Sequence, residues 1–472
     1  MNTTTRARAL PLLSVFFLPL ASCSKAPPSG TAVPPASAAA PAITADPVAP
    51  ASPVAPAADA ASAASAPSAP ALAGSDADLS LAMLGDASFA VRLYGKLPRG
   101  ENVFFSPASV RMALAMTYAG ASGATASEME KTLALDPDRA TDDRGFARAL
   151  QVFAEEGKTT LPPDAPQWRR DDAAGKQQTL RVVNRLWGQR GHSFLPGYLS
   201  LLDTSYGAPL TQLDFHGETE QSRVAINTFI ADATEQRIKD LLPPGSITSL
   251  TGLVLTNAVY FKGSWADAFK EAATKDDTFF VSSSKRVQAK LMTQTRGFSY
   301  ASTADAQILE LDYASRQIAM FVVLPKERAG LAALERRMKD TDLASWTNGL
   351  AGETVHVTLP RFTMTRHFSL KGVLASMGMP SAFDEANADF SGMDGARDLY
   401  LDDVIHQAFV AVDEKGTEAA AATAGVMMFK SLREDKPPPP IEFRADHPFL
   451  FLLKDKKTGS VLFMGRVTDP TT

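Results

Sequence analysis

Five segments rich in β-branched and aromatic residues constrain this chain more than anything else in it: Leu253 to Phe261, Ile318 to Leu324, Val355 to Phe362, Phe449 to Leu453 and Val461 to Val467. Several are apolar on both faces, and such a strand is stable only when helices or a second sheet cover it from both sides. Helical and strand signals alternate without the regular βα rhythm of a parallel sheet, and no internal repeat is visible. The pattern predicts a mixed α and β protein with large, buried sheets.

Two helices are legible near the start of the folded part. Leu81, Leu84, Phe89, Leu93 and Leu97 form an approximate helical stripe over Asp78 to Leu97. Asn102-Val-Phe-Phe-Ser-Pro107 then reads as a short strand feeding a helix, with the proline pre-set for the first helical turn and Gly120 as the stop.

Composition excludes several functions. Hydrophobic residues make up 45% of the 472 and charged residues 21%, a globular balance, and a net charge of -5 supplies no basic field for nucleic acid. There is no G-x-S-x-G elbow, H-E-x-x-H pair or phosphate loop, and the six histidines are scattered without metal-ligand spacing. No catalytic residue, cofactor or metal is therefore expected. A dispersed Ser-His-Asp set would leave no such signature, but nothing points to one.

The single cysteine, Cys23, rules out a disulfide framework and a thiolate metal cluster, so its position must explain it. Arg6 and Arg8 precede an apolar run from Ala9 to Leu20, too short to span a bilayer but suited to a secretory signal. The run ends in Leu20-Ala21-Ser22-Cys23, which resembles the bacterial lipobox, in which the cysteine is diacylated and becomes the first mature residue. An ordinary signal peptide with a chance cysteine is the plainer alternative. From Ser24 to about Gly74 the chain is almost entirely Ala, Pro, Ser, Val and Thr, too poor in large apolar groups to offset the entropy of folding. Such a tether reaches roughly 40 Å as a coil and about 150 Å fully extended. The expected organisation is a signal peptide over 1–22, a lipidated Cys23 with its tether over 23–76, and a folded domain over 77–472. Membrane contact would come through Cys23, and Ser24 resembles outer-membrane sorting, with the domain facing the periplasm or the exterior. A tract from Pro437 to Pro440 lacks backbone donors and cannot lie in a central strand.

Asn102 to Leu133 resembles the serpin pattern of a strand, a Ser-Pro helix start and a Gly-x-x-Gly turn. Four more stretches agree in order. Leu255-Thr-Asn257-Ala-Val-Tyr-Phe-Lys-Gly263-Ser-Trp265 is similar to the family's central-sheet strand. Leu359-Pro-Arg-Phe362, with Leu370 to Met379 and Ala388 to Met393, resembles its later strand and helix. His406 to Ala420 is similar to the strand and hinge entering the reactive loop, and His447 to Leu452 with Leu462 to Arg466 resembles the C-terminal strands. The resemblance covers nearly all of the chain after Ala77. It implies an α+β serpin-like fold with large mixed β-sheets, about eight to nine helices and an exposed reactive loop over about 414–440. Glu155 to Gln178 departs from the pattern as a polar inserted loop, and Ser431 to Pro448 is longer than the family norm.

Without the family, Glu414 to Lys430 is an acidic start, a glycine and a run of small residues, which composition alone reads as a linker or a short alanine helix. The flanking strands shift that balance. A segment that must enter a packed sheet needs small side chains, because overpacking costs roughly 1 to 3 kcal/mol per site. With period two, Thr417, Ala419, Ala421, Thr423, Gly425 and Met427 share one face and Glu418 falls on the other, so no charge enters the core. Gly416 gives the backbone freedom to hinge.

The resemblance implies a serine protease inhibitor that traps its target covalently and inserts its own loop as a strand. The hinge would comprise Glu414, Gly416, Thr417, Glu418, Ala419, Ala420, Ala421 and Ala422. The reactive bond would join Lys430 to Ser431, the lysine suiting a trypsin-like pocket, while Phe429, Met428 or Arg433 are alternatives and Phe429 would suit a chymotrypsin-like one. Ser106, Ser109, Asn257 and His406 match the family's shutter, a polar cluster where strands must part, and Trp265 and Glu414 match the breach at the sheet's top. Each also reads as a satisfied buried polar group or a core aromatic. The expected partner is a serine protease, met by a monomeric inhibitor. A non-inhibitory carrier or chaperone, or an inhibitor of cysteine proteases, are the alternative functions.

Overall fold

The computed structural model describes residues 74–156, 178–417 and 438–472. Its helices are α1 (Asp76–Met83), α2 (Asp86–Tyr94), α3 (Pro107–Tyr118), α4 (Gly123–Leu133), α5 (Arg139–Glu156), α6 (Pro196–Tyr206), α7 (Thr219–Ala233), α8 (Leu331–Arg337), α9 (Asp340–Thr347), α10 (Lys371–Met377) and α11 (Ser391–Asp394). The strands are β1 (Val103–Phe105), β2 (Gln178–Gln189), β3 (Thr211–Leu213), β4 (Leu253–Ser264), β5 (Lys275–Phe280), β6 (Arg286–Ser302), β7 (Ala306–Asp312), β8 (Ile318–Pro325), β9 (Ala351–Pro360), β10 (Phe362–Ser369), β11 (Val404–Val412), β12 (Gly416–Thr417), β13 (Ile441–Arg444), β14 (Phe449–Asp455) and β15 (Val461–Val467). Among the described residues the helices number eleven when one-turn and closely paired segments are counted separately, in line with the eight to nine expected.

The strands form two sheets. One runs β1-β15-β14-β8-β7-β6-β9-β13 with β5 paired to β6; the other runs β10-β11-β12-β4-β2-β3, and β11 also pairs directly with β4. The apolar runs read from the sequence are covered on both faces, as their composition requires. Along β4, Leu255, Val259 and Phe261 enter the main core, while Val254 and Ala258 join a second cluster with Ile226 and Ile230 of α7. Helix α3 is buried along its whole length and touches β4 and β2 as well as β15. Ser106 caps it by accepting the Ser109 N–H at 3.2 Å, and Pro107 opens the first turn as expected.

Two sequence expectations need correction. The helix drawn over Asp78 to Leu97 is two helices, broken at Leu84 and Gly85, where a Cβ on the glycine would run into the carbonyl oxygen of Ala134. The break resets the helical phase, so Leu81 and Leu84 face solvent and Leu79, Ala82 and Met83 are buried instead. The run Val355 to Phe362 is likewise two strands in different sheets, turning at Arg361 just after Pro360, which has no N–H to extend a ladder. Of the inserted loop expected over Glu155 to Gln178, Glu155 and Glu156 end α5 and Gln178 begins β2, and residues 157–177 lie outside the described residues. Among the described residues, no helix is long and apolar enough to cross a membrane.

Candidate functional site

The seam between β11 and β4 carries most of the residues singled out by sequence. At one end, β11 stops at Val412, and the Asp413 carboxylate accepts the N–H groups of Lys415 at 2.8 Å and Gly416 at 3.2 Å, turning the chain back. The returning pair, Gly416 and Thr417, forms β12 between the two strands, with Thr417 opposite Val412 on one side and Gly263 on the other. Farther along, β11 and β4 pair directly and parallel, from Val404 opposite Leu255 to Phe409 opposite Tyr260. A new strand has thus been started and the rest of its place is closed.

Gly416 is needed for a sharper reason than flexibility. Its φ is +149°, and a Cβ there would collide with the carbonyl oxygen of Gly263. Thr417 is fully buried, and its hydroxyl lies 2.7 Å from that of Tyr313. The Tyr313 ring stacks on Trp265 at 4.6 Å. Trp265 binds the turn twice, its backbone N–H donating to the Lys415 carbonyl at 2.8 Å and its indole N–H to the Asp413 carbonyl at 2.9 Å. Glu414 is buried beside them. Burial works against its charge, yet hydrogen bonds from Thr274 and Arg361, the latter through Nε at 2.6 Å, hold its carboxyl below the usual glutamate range. Arg361 reaches it from the corner between β9 and β10.

Midway along the seam, Asn184 of β2, Asn257 of β4 and His406 of β11 stand side by side in one row across three strands. The backbone N–H of Ser106 donates to Nε2 of His406 at 3.0 Å, and since that amide can only donate, the imidazole proton belongs on Nδ1, aimed at the Asn257 side-chain oxygen. Burial pushes the His406 pKa down to about 3, so the ring is neutral. Asn257 also donates to Asn184 and Ser109, and the Ser106 hydroxyl donates to the Leu462 carbonyl at 2.6 Å. The row ties all three strands and the start of α3 into one satisfied network.

The structure brings the expected shutter residues Ser106, Ser109, Asn257 and His406 together, and it sets Trp265 and Glu414, expected at the breach, beside Gly416 and Thr417 of the expected hinge. Sequence reasoning missed Asn184, Tyr313, Thr274 and Arg361. Asn184, alone among the apolar side chains of Leu180 to Trp187 apart from two arginines, was the one with a readable signal. Glu418, Ala419 to Ala422, Lys430, Ser431 and Cys23 lie outside the described residues.

A family model described as Serpin (serine protease inhibitor) matches residues 85–470. The sequence is 38% identical over 391 residues to the leukocyte elastase inhibitor of Xenopus tropicalis, covering 81% of this chain and 97% of that one. It is 39% identical over 393 residues to Serpin B6 of Macaca fascicularis, covering 82% and 98%. Among solved structures, uncleaved ovalbumin superposes with a TM-score of 0.69 at 29% identity, over 82% of this chain and 100% of ovalbumin. Serpin48 of the insect Tenebrio molitor superposes with a TM-score of 0.69 at 28% identity, over 82% and 98%.

Proposed function

Because the chain belongs to the serpin family, we propose that it is a serine protease inhibitor that completes, after cleavage, the strand that Gly416 and Thr417 have begun. The observation that carries this reading is β12 itself, seated between β11 and β4 with the remaining seam paired and closed. Extending its register along β4 assigns a neighbour to each later position. Ala419 and Ala421 fall opposite Phe261 and Val259, where little volume is spare, and Thr423 falls opposite Asn257, beside the polar row. Glu418 falls opposite Lys262, the least buried residue of β4, on the other face. Met427 arrives opposite Leu253, where β4 begins.

The chemistry is the protease's. Its serine adds to the carbonyl of Lys430, the bond to Ser431 breaks, and the Ser431 amine leaves, so that an ester joins Lys430 to the enzyme. Cleavage releases the loop from β13 and the C-terminal strands. Thr417 to Met427 then replaces the direct β11–β4 contact with a strand paired on both sides, carrying the acyl-enzyme with it before water can cleave the ester. The reading includes a trypsin-like target, supported by Lys430, and a monomeric inhibitor. Incubation with trypsin should give a covalent complex stable to boiling in detergent and release a C-terminal peptide beginning at Ser431. A peptide beginning at Lys430 or Phe429, or after Arg433, would move the reactive bond to Phe429, Met428 or Arg433. Cleaved chain with fully active protease would overturn inhibition and favour a carrier or chaperone, and complexes with cysteine proteases alone would assign the other class.

We also propose the organisation supported by the lipobox-like Leu20 to Cys23: a signal over 1–22, a diacylated Cys23 and a tether to residue 76 ahead of a 77–472 domain, anchored in a bacterial outer membrane. Cys23→Ala should move the protein from the membrane to the soluble fraction. Unaltered fractionation would refute the anchor.

A further inference from the structure

At the end of the six-stranded sheet away from the hinge, three side chains from two distant parts of the chain converge. His192 stands in the turn between β2 and α6. Asp394 ends α11, and Asp398 follows it on the segment leading into β11. Nε2 of His192 lies 2.8 Å from Oδ2 of Asp394 across 202 residues of sequence, and one ligand atom from each of the three residues lies within 4.8 Å of the others. No linear spacing rule for histidines would have found this set.

Two of the three are held in place. The His192 carbonyl accepts the Gln212 amide at 2.5 Å, and its ring meets Phe194 edge-on with centroids 5.0 Å apart. The Asp394 side chain is 2% exposed, and its other oxygen accepts the Ala396 N–H at 2.8 Å, the kind of outer bond that orients a ligating carboxylate. Asp398 is exposed. One imidazole and two carboxylates suit a borderline divalent ion, whereas calcium and magnesium prefer shells made of oxygen. Tetrahedral zinc spaces its ligands by roughly 3.3 Å, so Asp398 would swing inward by on the order of 1 Å and leave a fourth position to water.

We propose that His192, Asp394 and Asp398 bind a divalent transition-metal ion of the zinc class. The ion would brace the turn after β2 against α11, which already meet where the Leu195 N–H donates at 2.8 Å to the carbonyl of Met393, and the Gln189 N–H ties the same turn at 2.9 Å to the carbonyl of Gly252 immediately before β4.

Cobalt(II) and zinc(II) titrated into the full chain after chelation should bind as one equivalent, cobalt giving visible absorption bands from nitrogen and oxygen ligands. His192→Gln and Asp398→Asn should each weaken binding at least tenfold; Asp398 is exposed, so its variant keeps the fold. No saturable binding, or equal binding in both variants, overturns the site and leaves His192 and Asp394 as a plain bridge between a turn and a helix.

Discussion

His406 shows how one buried side chain couples the seam to pH. The ring is neutral when folded, with a pKa near 3, against about 6.5 for a solvated histidine. The unfolded chain therefore binds the proton more readily between those values. The stability contributed by the neutral ring is fully present above pH 6.5 and is lost as pH falls from there towards 3, by about 1.4 kcal/mol per unit or roughly 5 kcal/mol across the window. Denaturant midpoints measured from pH 7 to 4 should fall steeply in the parent chain and less steeply in His406→Gln, whose amide can still accept from Ser106 and donate to Asn257. Equal slopes would show that other groups govern acid sensitivity. Thr417 gives a second test at this scale. Arginine cannot be buried against Tyr313 without losing solvation, so Thr417→Arg should expel β12 and slow insertion, tenfold for each 1.4 kcal/mol or so added to its barrier. The number of loops cleaved per protease inhibited should rise; an unchanged ratio would count against insertion as the trapping step.

Among the elements, legibility followed how local the cause was. The strands Leu253–Ser264, Ile318–Pro325 and Val461–Val467 were readable because burial on both faces writes an unbroken apolar run into the sequence. Strand Arg286–Ser302 was not, because its exposed stretches carry polar residues that blur any period. The turn at Arg361 had a local mark in Pro360 that the unbroken apolar run around it hid, whereas the break at Gly85 escaped notice because it is set by Ala134, distant in sequence. The same holds at the site. Serine, asparagine and histidine of the polar row could be named from motifs, but Tyr313 meets Thr417 across 104 residues and Arg361 meets Glu414 across 53, and nothing local marks either tyrosine or arginine.

For the whole molecule, the difference between its two sheets matters most. Among the described residues the nine-stranded sheet has no partly filled place, whereas the six-stranded one seats Gly416 and Thr417 between β11 and β4, and on the proposed reading the closed seam beyond them opens to a place for about ten residues more. Filling it adds roughly ten ladder bonds at about 1 kcal/mol net each, on the order of 10 kcal/mol. For a domain of this size that corresponds to roughly 10 °C in melting temperature. A chain nicked within the reactive loop should therefore melt far above the intact chain in calorimetry, and coincident transitions would mean that the cut loop stays outside the sheet. The two seated residues also carry a consequence for supply. On the proposed reading a strand already begun finishes only once, so protection would be measured in copies rather than in turnovers. Each molecule would then be consumed by the protease it stops, and a cell relying on it would have to keep making more.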